Sequence, residues 1–158
     1  MRNQTCCFTG HRIIAPMTIP ALSAQLEATV RSLIESGIIY FRAGGALGFD
    51  TLAAETVLRL RDEFPQIKLN LMLPCHDQAS DWGKKDIARY EDILKRADEY
   101  VYAFDGNYLP GCMLERNRLL VDGSSICVAY CRRLMGGSAY TVRYAKKQGL
   151  KLIILGRE

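Results

Sequence analysis

Residues 38–64 decide the reading of this chain: Ile38-Ile39-Tyr40-Phe41-Arg42-Ala43, then Gly44-Gly45-Ala46-Leu47-Gly48-Phe49-Asp50, then Ala53, Val57, Leu60 and Phe64 at helical spacing before Pro65. The first block is a short apolar run with the character of a buried strand. The glycines form a tight turn, and the last block repeats with the helical period. A strand, a glycine-rich turn and a helix make half of a βαβ unit.

The same alternation extends in both directions. Upstream, Thr5–Thr9 reads as a strand, and Pro20, Leu22, Leu26, Val30 and Leu33 as a helix ending near Gly37. Downstream, strands are expected at Lys68–Leu73, Glu99–Phe104, Ser125–Tyr130 and Leu150–Leu155. Helices are expected around Ile87, Tyr90, Leu94 and Ala97, over Met113–Val121 and over Ser138–Gln148. Strands alternating with helices of this length imply right-handed crossovers and parallel pairing. The fold expected is therefore α/β: a three-layer Rossmann-like domain over residues 1–158, with a mostly parallel sheet of about six strands and helices on both faces.

Composition narrows the function. The 158 residues are 49% apolar and 24% charged, enough for a core. Lysine and arginine exceed the acids 21 to 17, a surplus of +4 that suits an anionic ligand but is too small to mark a nucleic-acid protein by itself. The N-terminal residues lack a signal-peptide h-region, and the apolar runs are too short to span a membrane, so a cytoplasmic chain is the expectation. The six cysteines include no C-x-x-C pair, and only His11 and His76 could join them. They read as small apolar residues, with no metal site and no required cofactor.

In open parallel sheets, ligands bind beyond the carboxyl ends of the strands, which confines the search to three turns. Thr9-Gly10-His11-Arg12 combines a glycine with a guanidinium able to grip a phosphate. In the turn with Gly44, Gly45 and Gly48, successive backbone amides precede a helix N-terminus. There Asp50 reads equally as a helix cap or as an acceptor for a ribose hydroxyl. Gly136-Gly137-Ser138, with Thr141 following, repeats the arrangement. On the helix from Met113, residues three or four apart share a face. Glu115 can thus act with Arg118, or Arg116 with a residue one turn away, but the six residues 113–118 cannot all act together. Trp82 offers a surface for stacking a base, although a partly buried tryptophan needs no ligand.

The combination of Phe8-Thr9-Gly10-His11-Arg12, Gly44 through Asp50, Arg116-Asn117-Arg118-Leu119-Leu120-Val121, Gly136-Gly137-Ser138 and Tyr140-Thr141-Val142 resembles the SLOG superfamily. That superfamily unites the DNA-processing protein DprA/Smf with the cytokinin-activating LOG proteins. Pro74, Gln78 and Trp82 are similar to its small stand-alone YpsA/YspA-like bacterial branch. The resemblance implies a Rossmann-like fold, a pocket for a nucleotide or nucleotide-derived ligand, and a homodimer. It places Gly10, His11, Arg12, Gly44, Gly45, Gly48, Asp50, Arg116, Asn117, Gly136, Gly137, Ser138 and Thr141 at that pocket. LOG proteins hydrolyse a nucleotide N-glycosidic bond with an arginine in an M-x-E-R-like segment and a glutamate after a glycine turn. Met113, Glu115 and Arg116 match the first element, but Val142 and Arg143 stand where the glutamates would be. Glycoside cleavage requires a carboxylate, so a hydrolase would have to recruit Glu115, Asp50 or Asp105. The expectations are then nucleotide binding or sensing first, N-glycoside hydrolysis of a nucleoside monophosphate second, and DprA-like single-stranded nucleic-acid binding third. The Arg116/Arg118 and Arg132/Arg133 clusters favour the third reading.

Overall fold

The computed structural model describes residues 1–132 and 136–156. Arg133, half of one basic cluster, lies outside the described residues. The strands are β1 (Thr5–Gly10), β2 (Tyr40–Ala43), β3 (Lys68–Leu73), β4 (Glu99–Tyr102), β5 (Ile126–Tyr130) and β6 (Lys151–Ile154). The helices between them are α1 (Ile19–Glu35), α2 (Phe49–Arg61), α3 (Lys84–Arg96), α4 (Cys112–Asp122) and α5 (Gly137–Lys147). Short 3-10 turns at Arg2–Gln4 and Pro16–Thr18 had no periodic signal in the sequence.

All six strands are parallel, in the order β4-β3-β2-β1-β5-β6. The chain steps outward from β1 to β4, then returns through α4 and places β5 on the other side of β1. That reversal opens a crevice between the carboxyl ends of β1 and β5, where Gly10 stands beside Tyr130 in register.

Side-chain alternation along each strand builds the two packed layers. On one face, Cys6, Phe8, Phe41, Leu69 and Leu71 meet Leu22, Leu26 and Val30 of α1 and Ala53 and Val57 of α2. Phe8 stacks on Phe41 with ring centroids 6.0 Å apart, and Phe49 crosses it edge-on. On the other face, Cys7, Met72, Cys127 and Ala129 meet Leu120 and Val121 of α4 and Ala145 of α5. Five of the six cysteines are buried in these layers or at their margins. Burial pushes the Cys75 thiol up to about 11, which keeps it protonated and unreactive at neutral pH. Arg42 ties the second layer down, donating from Nη1 to the Leu119 carbonyl at 2.8 Å. No helix among the described residues is long and apolar enough to cross a membrane.

Candidate functional site

The strand-order reversal holds a cavity of about 350 Å³, lined by residues from three exits. The end of β1 supplies Thr9 and Gly10, and the turn after it His11, Arg12 and Ile13. The turn into α2 supplies Ala46 and Asp50. The start of α5 supplies Gly136, Gly137 and Ser138. The inner face of α4 closes the cavity with Met113, Arg116, Asn117 and Leu120.

Arg116 is the unusual member, because its residue is only 5% exposed. A buried guanidinium needs acceptors, since its desolvation is costly. Nη1 donates to the Gly44 carbonyl at 2.6 Å and Nε to Asn117 Oδ1 at 2.9 Å. Among the described residues, Nη2 reaches only the Met113 sulfur, at 3.8 Å. Burial lowers the Arg116 pKa against the opposing pull of Asp50, yet guanidinium stays charged. From the turn after β1, Arg12 Nη2 approaches the same sulfur at 3.9 Å. Two guanidiniums thus flank Met113 on the cavity wall.

Asp50 lies 7% exposed near Arg116 and accepts the Ala46 N–H at 3.2 Å through Oδ2. It pins the turn before α2, and no side chain caps that helix. Burial raises its pKa above the ordinary carboxylate value, outweighing Arg116 and the Ala46 amide. The folded chain therefore holds this proton to higher pH than the unfolded chain, and stability falls as pH rises through that window. Asp50→Asn keeps an acceptor for Ala46 and abolishes the titration. Its stability relative to the unmodified chain should increase between pH 4 and pH 7 in urea denaturation. A constant or shrinking difference would show that the carboxylate is no burden when ionised.

The start of α5 is open. Gly136 takes φ +107° as the N-cap and brings no capping side chain. Among the described residues, a Cβ built at Gly136 or Gly137 meets nothing within 4 Å. The first amides of a helix have no intrahelical acceptor and carry the positive end of its dipole. His11 fixes the neighbouring wall, because its Nε2 accepts the Arg132 N–H at 2.8 Å and its ring packs edge-on against Tyr130.

Other residues expected at the site sit elsewhere. Gly44, Gly45 and Gly48 do not line the cavity, and protein atoms fill the space that their side chains would occupy. A Cβ at Gly44 would lie 2.5 Å from Arg116 Nη1, at Gly45 2.7 Å from Leu73 Cδ2, and at Gly48 2.3 Å from the Arg12 carbonyl oxygen. This turn is glycine-rich because Arg116, the β3 exit and the β1 turn close over it. Thr141 is fully buried and donates back to the Gly137 carbonyl at 2.9 Å, inside α5. Trp82 lies edge-on to Tyr90 at 5.3 Å in the loop after β3, away from the cavity. Of the carboxylates a hydrolase could recruit, only Asp50 lines the cavity. Glu115 pairs with Arg118 at 3.0 Å and Asp105 with His76 at 2.7 Å, both at exposed positions. Thr9, Ile13, Ala46, Met113 and Leu120 complete the lining without having been singled out as ligand contacts. Met113 and Leu120 were within reach of the spacing argument, one turn either side of Arg116 and Asn117.

An all-parallel sheet with a cavity at its strand-order reversal defines a Rossmann-like α/β domain. The chain belongs to the YspA SLOG family, whose sequence model matches residues 15–152. A UPF0398 protein from Halalkalibacterium halodurans is 31% identical over 82% of this chain and 70% of its own length. One from Bacillus pumilus is 28% identical over 79% of this chain and 68% of its own length. Among solved structures, DNA processing protein A of Helicobacter pylori, which binds single-stranded DNA, superposes with a TM-score of 0.71 at 21% identity. That match covers 99% of this chain and 67% of that one. DNA processing protein A of Streptococcus pneumoniae gives 0.73 at 14% identity; this chain again aligns over 99% of its length but spans only 51% of that protein. At these identities the likeness concerns the fold.

Proposed function

We propose that the chain binds a nucleotide or nucleotide-derived ligand, with a phosphate at the N-terminus of α5 between Arg12 and Arg116. The observation that carries this reading is the open first turn of α5. A Cβ at either of its glycines meets no atom of the described residues within 4 Å, and it lines a cavity that a buried guanidinium also lines. Helix amides and arginines are the standard donors to phosphate oxygens. The volume of about 350 Å³ lies within the range of small-ligand sites.

Gly137→Val tests the reading. The Cβ meets no atom of the described residues within 4 Å, and the branched side chain adds bulk at the first turn of α5, which lines the cavity. Thermal stability should change little, while calorimetric affinity for a nucleoside monophosphate should fall by about a hundredfold, some 2.7 kcal/mol. Unchanged affinity would remove the α5 site. The same incubations, analysed by chromatography for free base, test hydrolysis by Asp50, and no base above the blank would reject it. Likeness to DNA processing protein A supports a second reading, binding of single-stranded nucleic acid. It requires retention on single-stranded DNA that weakens steeply with salt.

A further inference from the structure

Three polar side chains that line the cavity are more than nine-tenths buried: Arg116 at 5% exposed, Asp50 at 7% and Asn117 at 8%. Bonds within the chain occupy only part of the last two. Asp50 turns Oδ2 towards residues 44–46, where it accepts the Ala46 N–H. Its Oδ1 accepts no hydrogen bond among the described residues. Nor is Asp50 the cap of α2, a place held by Gly48. Asn117 Oδ1 accepts from Arg116 Nε at 2.9 Å. Because Nε can only donate, that bond fixes the orientation of the amide and leaves the Nδ2 amine as the free end. Nδ2 donates to no acceptor among the described residues. Buried polar groups are normally paired. Here one acceptor and one donor are left over on the same cavity wall.

We propose that Asp50 and Asn117 read the 2′- and 3′-hydroxyls of a ribose, so that the ligand is a free ribonucleotide with an unsubstituted sugar diol. This inference rests on the phosphate site described above. Both residues adjoin the guanidinium assigned to that phosphate. A Cβ built at Gly44 would stand 2.5 Å from Arg116 Nη1 and 2.8 Å from Asp50 Oδ2, which brings carboxylate and guanidinium around one point. Asn117 is bonded to the same guanidinium through Nε. In a nucleotide the group next to the phosphate is the sugar, and the base lies one ring further away. A hydroxyl both donates and accepts, so a diol can donate to the carboxylate while accepting from the amide. An acidic side chain serves ribose hydroxyls in the same way in dinucleotide-binding Rossmann folds. Internal residues of a DNA strand lack the 2′-hydroxyl, and their 3′-oxygens are esterified. The same wall therefore favours a mononucleotide over single-stranded DNA.

The test is calorimetry of the full chain with ribonucleoside 5′-monophosphates, their 2′,3′-dideoxy counterparts and inorganic phosphate. Loss of both hydroxyls should weaken binding by about a hundredfold. Asp50→Asn keeps an oxygen for Ala46 but exchanges a charge-assisted bond for a neutral one, and Asn117→Leu removes the donor outright. Each should reduce the preference for ribose to about tenfold. A role in shaping the wall alone would weaken ribonucleotide, dideoxynucleotide and inorganic phosphate by one common factor and leave the preference intact. A preference that survives in both variants would therefore overturn the proposal. So would equal affinity of the unmodified chain for ribo- and dideoxynucleotides with inorganic phosphate still bound, a result that leaves the phosphate site standing. Failure of all three ligands to bind would overturn both.

Discussion

Arg116→Ala is expected to destabilise the chain by about 3–5 kcal/mol, because it strips the cation from the Gly44 carbonyl, removes the nearer of the two positive charges acting on the buried Asp50 and leaves a void. Urea denaturation at neutral pH measures the loss. Arg116→Met should be milder. Replacing a buried ion with an apolar group of similar volume is often nearly neutral, whereas Ala also leaves a void in the wall. Both variants should lose phosphate affinity together. This contrast separates two roles of one residue. If Arg116 serves mainly the fold, Met fails as badly as Ala in stability. If it serves the pocket, Met folds and does not bind. A variant Arg116→Met that folds and binds a nucleoside monophosphate as tightly as the unmodified chain would remove Arg116 from the site.

Gly48→Ala should be nearly as damaging, for a different reason. Gly48 takes φ +76°, a conformation that costs a Cβ-bearing residue about 1–3 kcal/mol. The added Cβ would also lie 2.3 Å from the Arg12 carbonyl oxygen and 2.5 Å from that of His11. Both are backbone atoms, and the Phe49 N–H already donates to His11 at 3.0 Å, so the turn after β1 cannot simply step aside. A combined loss of about 3 kcal/mol or more is expected, with disturbance of the Arg12 wall. Gly137→Ala is the control. Its backbone is ordinary and no described residue lies within 4 Å of the added Cβ, so its stability should stay within about 0.5 kcal/mol of the unmodified chain. Equal losses in the two variants, read from thermal melts, would contradict this account of the glycines.

The architecture was legible because each βαβ unit carries its own signal. β3 begins and ends where Pro74 and the apolar run place it, at Lys68 and Leu73. β2 is shorter than its apolar run, starting at Tyr40 rather than Ile38: the Ile38 N–H donates back to the Leu33 carbonyl of α1, while Ile39, donating to Gln4 and accepting from Lys68, only flanks the first rung of the ladder. α2 starts earlier than its periodic residues suggest, since Phe49 and Asp50 already form its first turn. The site was legible in part. Position after a strand located the turns at Gly10 and Gly136, both of which reach the cavity. The same rule also selected Gly44, Gly45 and Gly48, whose glycines answer to close packing within the chain. A single sequence does not distinguish a glycine that makes room for a ligand from one that makes room for a neighbouring side chain. What separates them is the direction from which Arg116, Leu73 and the Arg12 carbonyl approach. That is a property of tertiary contacts dozens of residues apart. Arg116 shows the same limit, since helical spacing confined it to one face of α4 but could not tell that the face is buried.

The central claim is that the first turn of α5 and the two arginines facing it hold a phosphate group. Backbone amide NMR during a titration with inorganic phosphate tests it most directly. Saturable shifts concentrated at Gly137, Ser138 and the Gly10–Arg12 turn are expected, absent in Gly137→Val. Shifts that never saturate, or that map to the β4 edge instead of these amides, would contradict it.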